Sequence, residues 1–267
     1  MSSYLGLTSE TRLRSDAAAL SPAEGWGMNE STFPGRWLGG TALVLGPLLL
    51  LAGVLLRIGP DFFFPAQLEA FAANPGLMTA AYTCFLAGNV LLWPAVAVLA
   101  ARIGRTRPRL ALWGGAMAVF GLFARTFHAG VDHLAFRLAA DQGPEAATRA
   151  VADAYGAWHL MSAFSVAILA GWIVLAIGAF RSGVFGPGVL GVVRSAALAS
   201  MALLPLGVLK GTTPLSVVAV CGLAIALVPL GVRVLRDGPV PRPRVLIVWI
   251  GLVVVLLAAM GIVGTLG

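Results

Sequence analysis

The sequence predicts an all-α fold: a polytopic membrane bundle of seven transmembrane helices, with the N-terminus in the cytoplasm and the C-terminus outside. Three observations predict it. Apolar types make up 59% of the 267 residues and charged types only 11%, with a mean hydropathy of +0.91. A water-soluble domain carries about a quarter charged residues, so no soluble surface can be built from this list. The apolar residues fall in runs close to the roughly 20 that a ~30 Å hydrocarbon core requires of a helix. Most runs are separated by Gly59-Pro60, Asn74-Pro75, Gly143-Pro144, Gly186-Pro187, Thr213-Pro214 and the cluster Pro239, Pro241 and Pro243, the residue types that stop and start helices.

Residues 1 to 36 are polar and rich in Ser, Ala and Glu, which predicts a disordered cytoplasmic lead. Met28 opens a second start, MNESTFPGRW, that runs straight into the first apolar segment; residues 1 to 27 then read as an extension ahead of it. A cleaved signal peptide is not expected, because the apolar stretch is long and no A-x-A site follows it. The membrane domain, 37 to 267, divides into spans at about 37–57, 76–101, 110–136, 151–180, 187–209, 214–235 and 245–266.

Arginine placement sets the orientation. Arg12, Arg14 and Arg36, then Arg102, Arg105, Arg107 and Arg109, fall on one face, joined by Arg181, Arg194, Arg233, Arg236, Arg242 and Arg244. Only Arg57, Arg137, Arg149 and Lys210 fall on the other, and Arg125 lies within the third span. Cytoplasmic loops concentrate Arg and Lys, so the first face is cytoplasmic, and an odd number of spans then puts the C-terminus outside. The net charge of +7 thus reports topology, and no nucleic-acid partner is expected.

The first outer loop holds Phe62, Phe63 and Phe64 ahead of Pro65, with Leu68 and Phe71 at i, i+3. It reads either as a short helix in the outer interface or as a capped extension of the second span. Glycines such as Gly39, Gly40, Gly114, Gly115, Gly186, Gly188 and Gly191 are expected to let helices pack closely, since lipid supplies little hydrophobic drive between them. Pro94, Pro205 and Pro229 inside spans predict kinks. Cys84 and Cys221 lie in apolar runs without a C-x-x-C and read as ordinary buried thiols. No internal repeat is visible, which weakens an inverted-repeat transporter.

Ionisable residues in hydrocarbon are costly and face the bundle interior or water. Here they concentrate in the third span, ARTFHAGVDHLAF, where Arg125, His128 and Asp132 fall at i, i+3, i+7 with His133 at the edge. Tyr155, His159 and Ser162 form a matching i, i+4, i+7 stripe in the fourth span. Each stripe is about 60° wide, and a short connection makes the two spans antiparallel neighbours. Asn89 and Tyr82 of the second span are further candidates.

Three readings of this cluster stay open. An Arg125–Asp132 ion pair with hydrogen-bonded histidines fixes helix packing. Alternatively Arg125, His133, Tyr155, Ser162 and Asn89 bind a ligand, the guanidinium holding an anionic head while aromatic residues and the Phe62–Phe64 loop meet an apolar tail. In the third, His128, Asp132 and His159 are catalytic, either as zinc ligands with an open position for water or, without metal, as acid, base and orienting carboxylate. The zinc version lacks a known spacing such as H-E-x-x-H, and it departs from seven-span hydrolases that carry histidines in their last helix. A retinal protein is excluded because the single lysine, Lys210, ends the fifth span. Haem between His128 and His159, or a nucleophile at Ser162 or Ser165, has less support.

FRSGVFGPGVLGVV after the fourth span and FHAGVDHLAFRLA in the third, in a lysine-poor chain rich in Arg, Ala and Gly, resemble a family of small polytopic actinobacterial membrane proteins over roughly residues 28 to 237. The resemblance implies a multi-pass protein and carries no activity or site residues with it. The expected function is binding or sensing of an amphipathic, lipid-like molecule between the third and fourth spans, in the plasma membrane among its lipids. The alternatives are an intramembrane enzyme (a metal-assisted hydrolase or an acid–base cyclase or isomerase) on an apolar substrate, and a structural membrane subunit. No nucleotide- or phosphate-binding loop motif occurs in the cytoplasmic segments.

Overall fold

The computed structural model describes residues 34–155, 157–238 and 243–264. The polar lead and the start at Met28 lie outside the described residues, apart from the last few positions before the first helix. Among the described residues the chain is helical throughout, without strands: α1 (Gly35–Leu56), α2 (Phe64–Ala73), α3 (Pro75–Gly104), α4 (Pro108–Gln142), α5 (Pro144–Tyr155), α6 (Leu160–Ser182), α7 (Gly188–Ala199) with a 3-10 turn at Ser200–Leu203, α8 (Pro214–Arg236) and α9 (Pro243–Gly264). Five of these, α1, α3, α4, α6 and α8, are long and apolar enough to cross a membrane.

Helix boundaries follow local chemistry. Asn74 breaks the chain between α2 and α3 and accepts the Leu77 N–H at 3.1 Å, with Pro75 filling a position where no N–H is needed. Thr213 and Ser216 form a reciprocal capping box ahead of α8. α6 ends at Gly183, whose φ of 68° is the left-handed cap that glycine alone adopts without cost.

Two expectations for the fourth and fifth spans are corrected. The fourth does not run unbroken from 151. Residues 144–155 form the separate helix α5, whose Glu145, Arg149 and Asp153 suit water while Ala147 and Val151 are buried. His159 is extended (φ −147°, ψ 158°) at the start of α6. In the fifth, α7 and its 3-10 turn form a helix shorter than a full crossing. Pro205 therefore kinks no helix: it lies beyond the turn, and the residue before it, Leu204, takes the extended conformation (ψ 120°) that a following proline enforces. Residues 204–213 continue without helix to α8.

Two end clusters tie the helices. At one end Arg102 pairs with Asp237 at 3.0 Å, Arg36 donates to the Asp237 carbonyl at 2.8 Å, and Arg107 donates to the Arg181 carbonyl at 3.4 Å. At the other, Thr212 donates to the Val54 carbonyl at 2.7 Å and the Gly211 N–H to that of Phe62 at 2.8 Å. A small second core lies at this end, where Phe71 of α2 stacks on Phe136 of α4 at 4.5 Å and Leu68, Ala147, Val151 and Leu209 join them. Thus α2 is a helix separate from α3, and its Leu68 and Phe71 face protein. α4, at 35 residues, is ~52 Å long and projects past the hydrocarbon to reach this cap.

Two charges assigned to loops are buried instead. Arg194 is 3% exposed within α7 and donates to the carbonyls of Phe185 and Ala226 at 3.1 and 2.6 Å, joining α7 to α8. Arg57 is 6% exposed. Each face loses one arginine, so the asymmetry between the faces persists. Cys84 and Cys221 are free thiols, half-buried rather than buried.

The main helix contact, α4 against α6, runs through glycines. A Cβ on Gly171 would lie 2.5 Å from the Ala118 nitrogen and 3.0 Å from its Cα, and one on Gly114 would lie 3.0 Å from the Leu175 nitrogen. Backbone cannot retreat as a side chain can. Gly171→Ala should therefore cost ~1–3 kcal/mol and lower the thermal midpoint of purified protein, whereas Gly130→Ala, with nothing within 4 Å of the new methyl, should leave it unchanged or higher.

Candidate functional site

α4 and α6 pack side by side, and α5 crosses the mouth between them. A cavity of about 610 Å³ opens there, walled by Val131, Leu134, Ala135 and Leu138 of α4, Ala150, Val151 and Ala154 of α5, Val166 of α6, and Leu206 and Val208 of the non-helical segment. Its polar fittings are few: His128, His159, Ser162 and Ser165. The His128 and His159 ring centres are 6.1 Å apart at 78°, and Phe127 lies 5.2 Å from the His159 ring. Nδ1 of His159 is buried without a hydrogen-bond partner, while the Ser165 hydroxyl donates back to the Met161 carbonyl at 2.9 Å. Among the described residues no Asp, Glu, Lys or Arg lines this cavity. Its lining suits an apolar body with one or two hydrogen bonds at an end.

The segment behind it, 204–213, is held by Asp132. The Asp132 carboxylate accepts the Leu209 N–H at 2.6 Å, and Leu209 is fully buried with φ of 47°, a left-handed conformation that costs a non-glycine residue roughly 1–2 kcal/mol. Buried non-helical backbone needs such partners, and Leu206 and Val208 of this segment also line the large cavity.

Several sequence expectations change. Arg125 and Asp132 share a face of α4 but form no ion pair; among the described residues the ion pairs are Arg102–Asp237 and Arg137–Asp141. Asp132 is committed to a backbone N–H that no side-chain pattern discloses. Arg125 is turned away from the large cavity, with Cζ 6.0 Å from the Phe85 ring. Among the described residues no three of His, Cys, Asp and Glu come together as a metal site, so His128, Asp132 and His159 do not converge as a zinc ligand set. Asp132 is absent from the lining of the large cavity and shares the smaller pocket with His128. His133, about 100° round the helix from Asp132, is exposed and lines no cavity. Asn89 is buried and donates to the Leu122 carbonyl and the Thr126 hydroxyl at 3.2 and 3.1 Å, locking α3 to α4. The backbone of Tyr155 closes α5, so it shares no helical stripe with His159; its side chain lies outside the described residues. Lys210 ends no helix and lies in the non-helical segment.

Sequence reasoning missed the α5 wall, residues 206–208 and Arg57. Arg57 carried a signal in its charge, which was absorbed by the topology count, and α5 carried one in Glu145, Arg149 and Asp153. Compared with protein-family models, curated proteins and solved structures, the chain finds no match.

If Asp132 acts as a fastener, Asp132→Asn, which keeps an acceptor oxygen, should change stability little. Asp132→Ala should cost ~1–3 kcal/mol by stranding a buried N–H. Thermal unfolding of the two purified variants separates them; equal losses would remove the hydrogen bond from this role.

Proposed function

We propose that the chain is a multi-pass protein of the plasma membrane that binds an amphipathic, lipid-like molecule in the cavity beside His128 and His159. The observation that carries this is the cavity itself: about 610 Å³, apolar-walled, with two imidazoles and two serine hydroxyls as its polar groups. His128 is ~30 Å along α4 from its arginine-rich end, near the outer margin of the hydrocarbon, where an amphiphile changes from tail to head. A dansyl-labelled fatty acid titrated into purified protein should bind, and Ala154→Trp, which fills the cavity from α5, should weaken it about tenfold or more. No binding to wild type, or unchanged binding to the variant, rejects the site.

The same proposal has seven crossings, the N-terminus inside and the C-terminus outside. Residues 188–213 make the fifth crossing as a short helix followed by non-helical chain. α9 makes the seventh, and its described side chains from Arg244 onward are all exposed, in keeping with lipid as their solvent. The arginine-rich end defined by Arg36, Arg102 and Arg107 is then cytoplasmic. With Cys84 and Cys221 replaced by serine, Thr106→Cys should react with an impermeant maleimide only after cells are opened; labelling of intact cells would invert the topology.

A further inference from the structure

Beside the large cavity, on the adjoining arc of α4, the fold assembles positive charge. Arg57, Arg125 and Lys210 line a pocket of about 40 Å³, together with Tyr82, Phe85 and Asp132. Arg57 is 6% exposed, and its guanidinium lies 4.6 Å from the Tyr82 ring centre and 4.5 Å from that of Phe85. The Tyr82 side chain also hydrogen-bonds Arg57, yet Nε of Arg57 is buried without a hydrogen-bond partner, as are Nε and Nη2 of Arg125. The Lys210 ammonium lies 5.0 and 4.6 Å from the Phe62 and Phe63 rings. The carboxylate among these lining residues, Asp132, already accepts the Leu209 N–H.

A buried guanidinium is strongly disfavoured unless an anion and its hydrogen bonds compensate it. Aromatic faces supply part of that compensation but leave those N–H donors without acceptors. We propose that this pocket is a binding site for a small monovalent anion, held by the N–H edges of Arg57 and Arg125 with Lys210 adding charge. At about 40 Å³ the pocket is small beside the neighbouring cavity of about 610 Å³, which suits a small anion such as a halide or a carboxylate. Two guanidinium edges suit a carboxylate in particular.

The anion has two sources. It is either a free ion or the carboxylate head of a molecule whose tail occupies the large cavity, since His128, Leu206 and Gly207 line both spaces. The inference does not depend on a lipid filling the larger cavity. Ala154→Trp probes that cavity, whereas the arginine variants probe this one.

The test is the thermal midpoint of the full-length purified protein at constant ionic strength, with sodium gluconate as the bulky reference anion. Chloride, acetate or sub-micellar laurate should raise the wild-type midpoint by about 3 °C or more at saturation. A rise with chloride or acetate identifies a free anion; a rise with laurate alone identifies the head of an amphiphile. Arg57→Gln and Arg125→Gln should each abolish the rise, and in gluconate each should melt no lower than wild type because an uncompensated buried cation has gone. The wild-type series needs no variant to be decisive. No anion-dependent rise, or a rise that survives both substitutions, overturns the site.

Discussion

Buried backbone that leaves its helix has to find hydrogen-bond partners elsewhere, and residues 204–213 show how far the surrounding structure is arranged around that requirement. Pro205 has no N–H to satisfy. The Leu209 N–H reaches the Asp132 carboxylate on α4, that of Gly211 reaches the Phe62 carbonyl, and the Thr212 hydroxyl satisfies the Val54 carbonyl at the end of α1. The segment is thereby stitched to three elements distant in sequence. Leu206 and Val208 of this segment supply one wall of the large cavity, facing residues of α4, α5 and α6.

That arrangement needs α4 and α6 to be fixed elsewhere, and the glycine contacts do this away from the site. Gly114, Gly121 and Gly171 bring the two backbones close around Leu175, Ile168 and Ala118. Past Ile168, toward the start of α6, His128 and His159 lie between the two helices with ring centres 6.1 Å apart, and both line the large cavity.

The all-helical membrane character, the five long apolar helices and most of their ends were legible because they rest on composition, length and Pro-Gly punctuation, all local in sequence. The break at the start of the fourth span was not, because Tyr155, His159 and Ser162 keep a helical spacing whether or not the chain between them is helical; the charges of Glu145, Arg149 and Asp153 were the available hint. The candidate site was half legible. His128 and His159 do face one another across a gap of 6.1 Å between ring centres, since titratable side chains within spans must turn inward. The partner of Asp132 was illegible in principle, because a backbone N–H 77 positions away leaves no mark on side-chain types. Arg57 was misassigned because the rule that counts loop arginines for topology cannot tell a solvated guanidinium from one folded under Tyr82 and Phe85.

The division of labour on α4 follows from helix geometry. Taking Arg125 as zero, successive residues advance 100°, which places Ala129 at ~40° and Asp132 at ~340°, on the side of Arg57 and Lys210. Val131, Leu134, Ala135 and Leu138 fall between ~180° and ~280°, on the side of the apolar cavity. His128 falls at ~300°, on the border between the arcs, and it alone of the α4 side chains lines both spaces. An imidazole suits that position because its two nitrogens lie on different edges of one ring and can serve as donor and acceptor at once. An aliphatic residue there would seal the charged pocket from the apolar one, and a charged residue would extend the pocket into the cavity. In the proposed reading, histidine at 128 would let a single ligand, head on one side and tail on the other, touch both spaces.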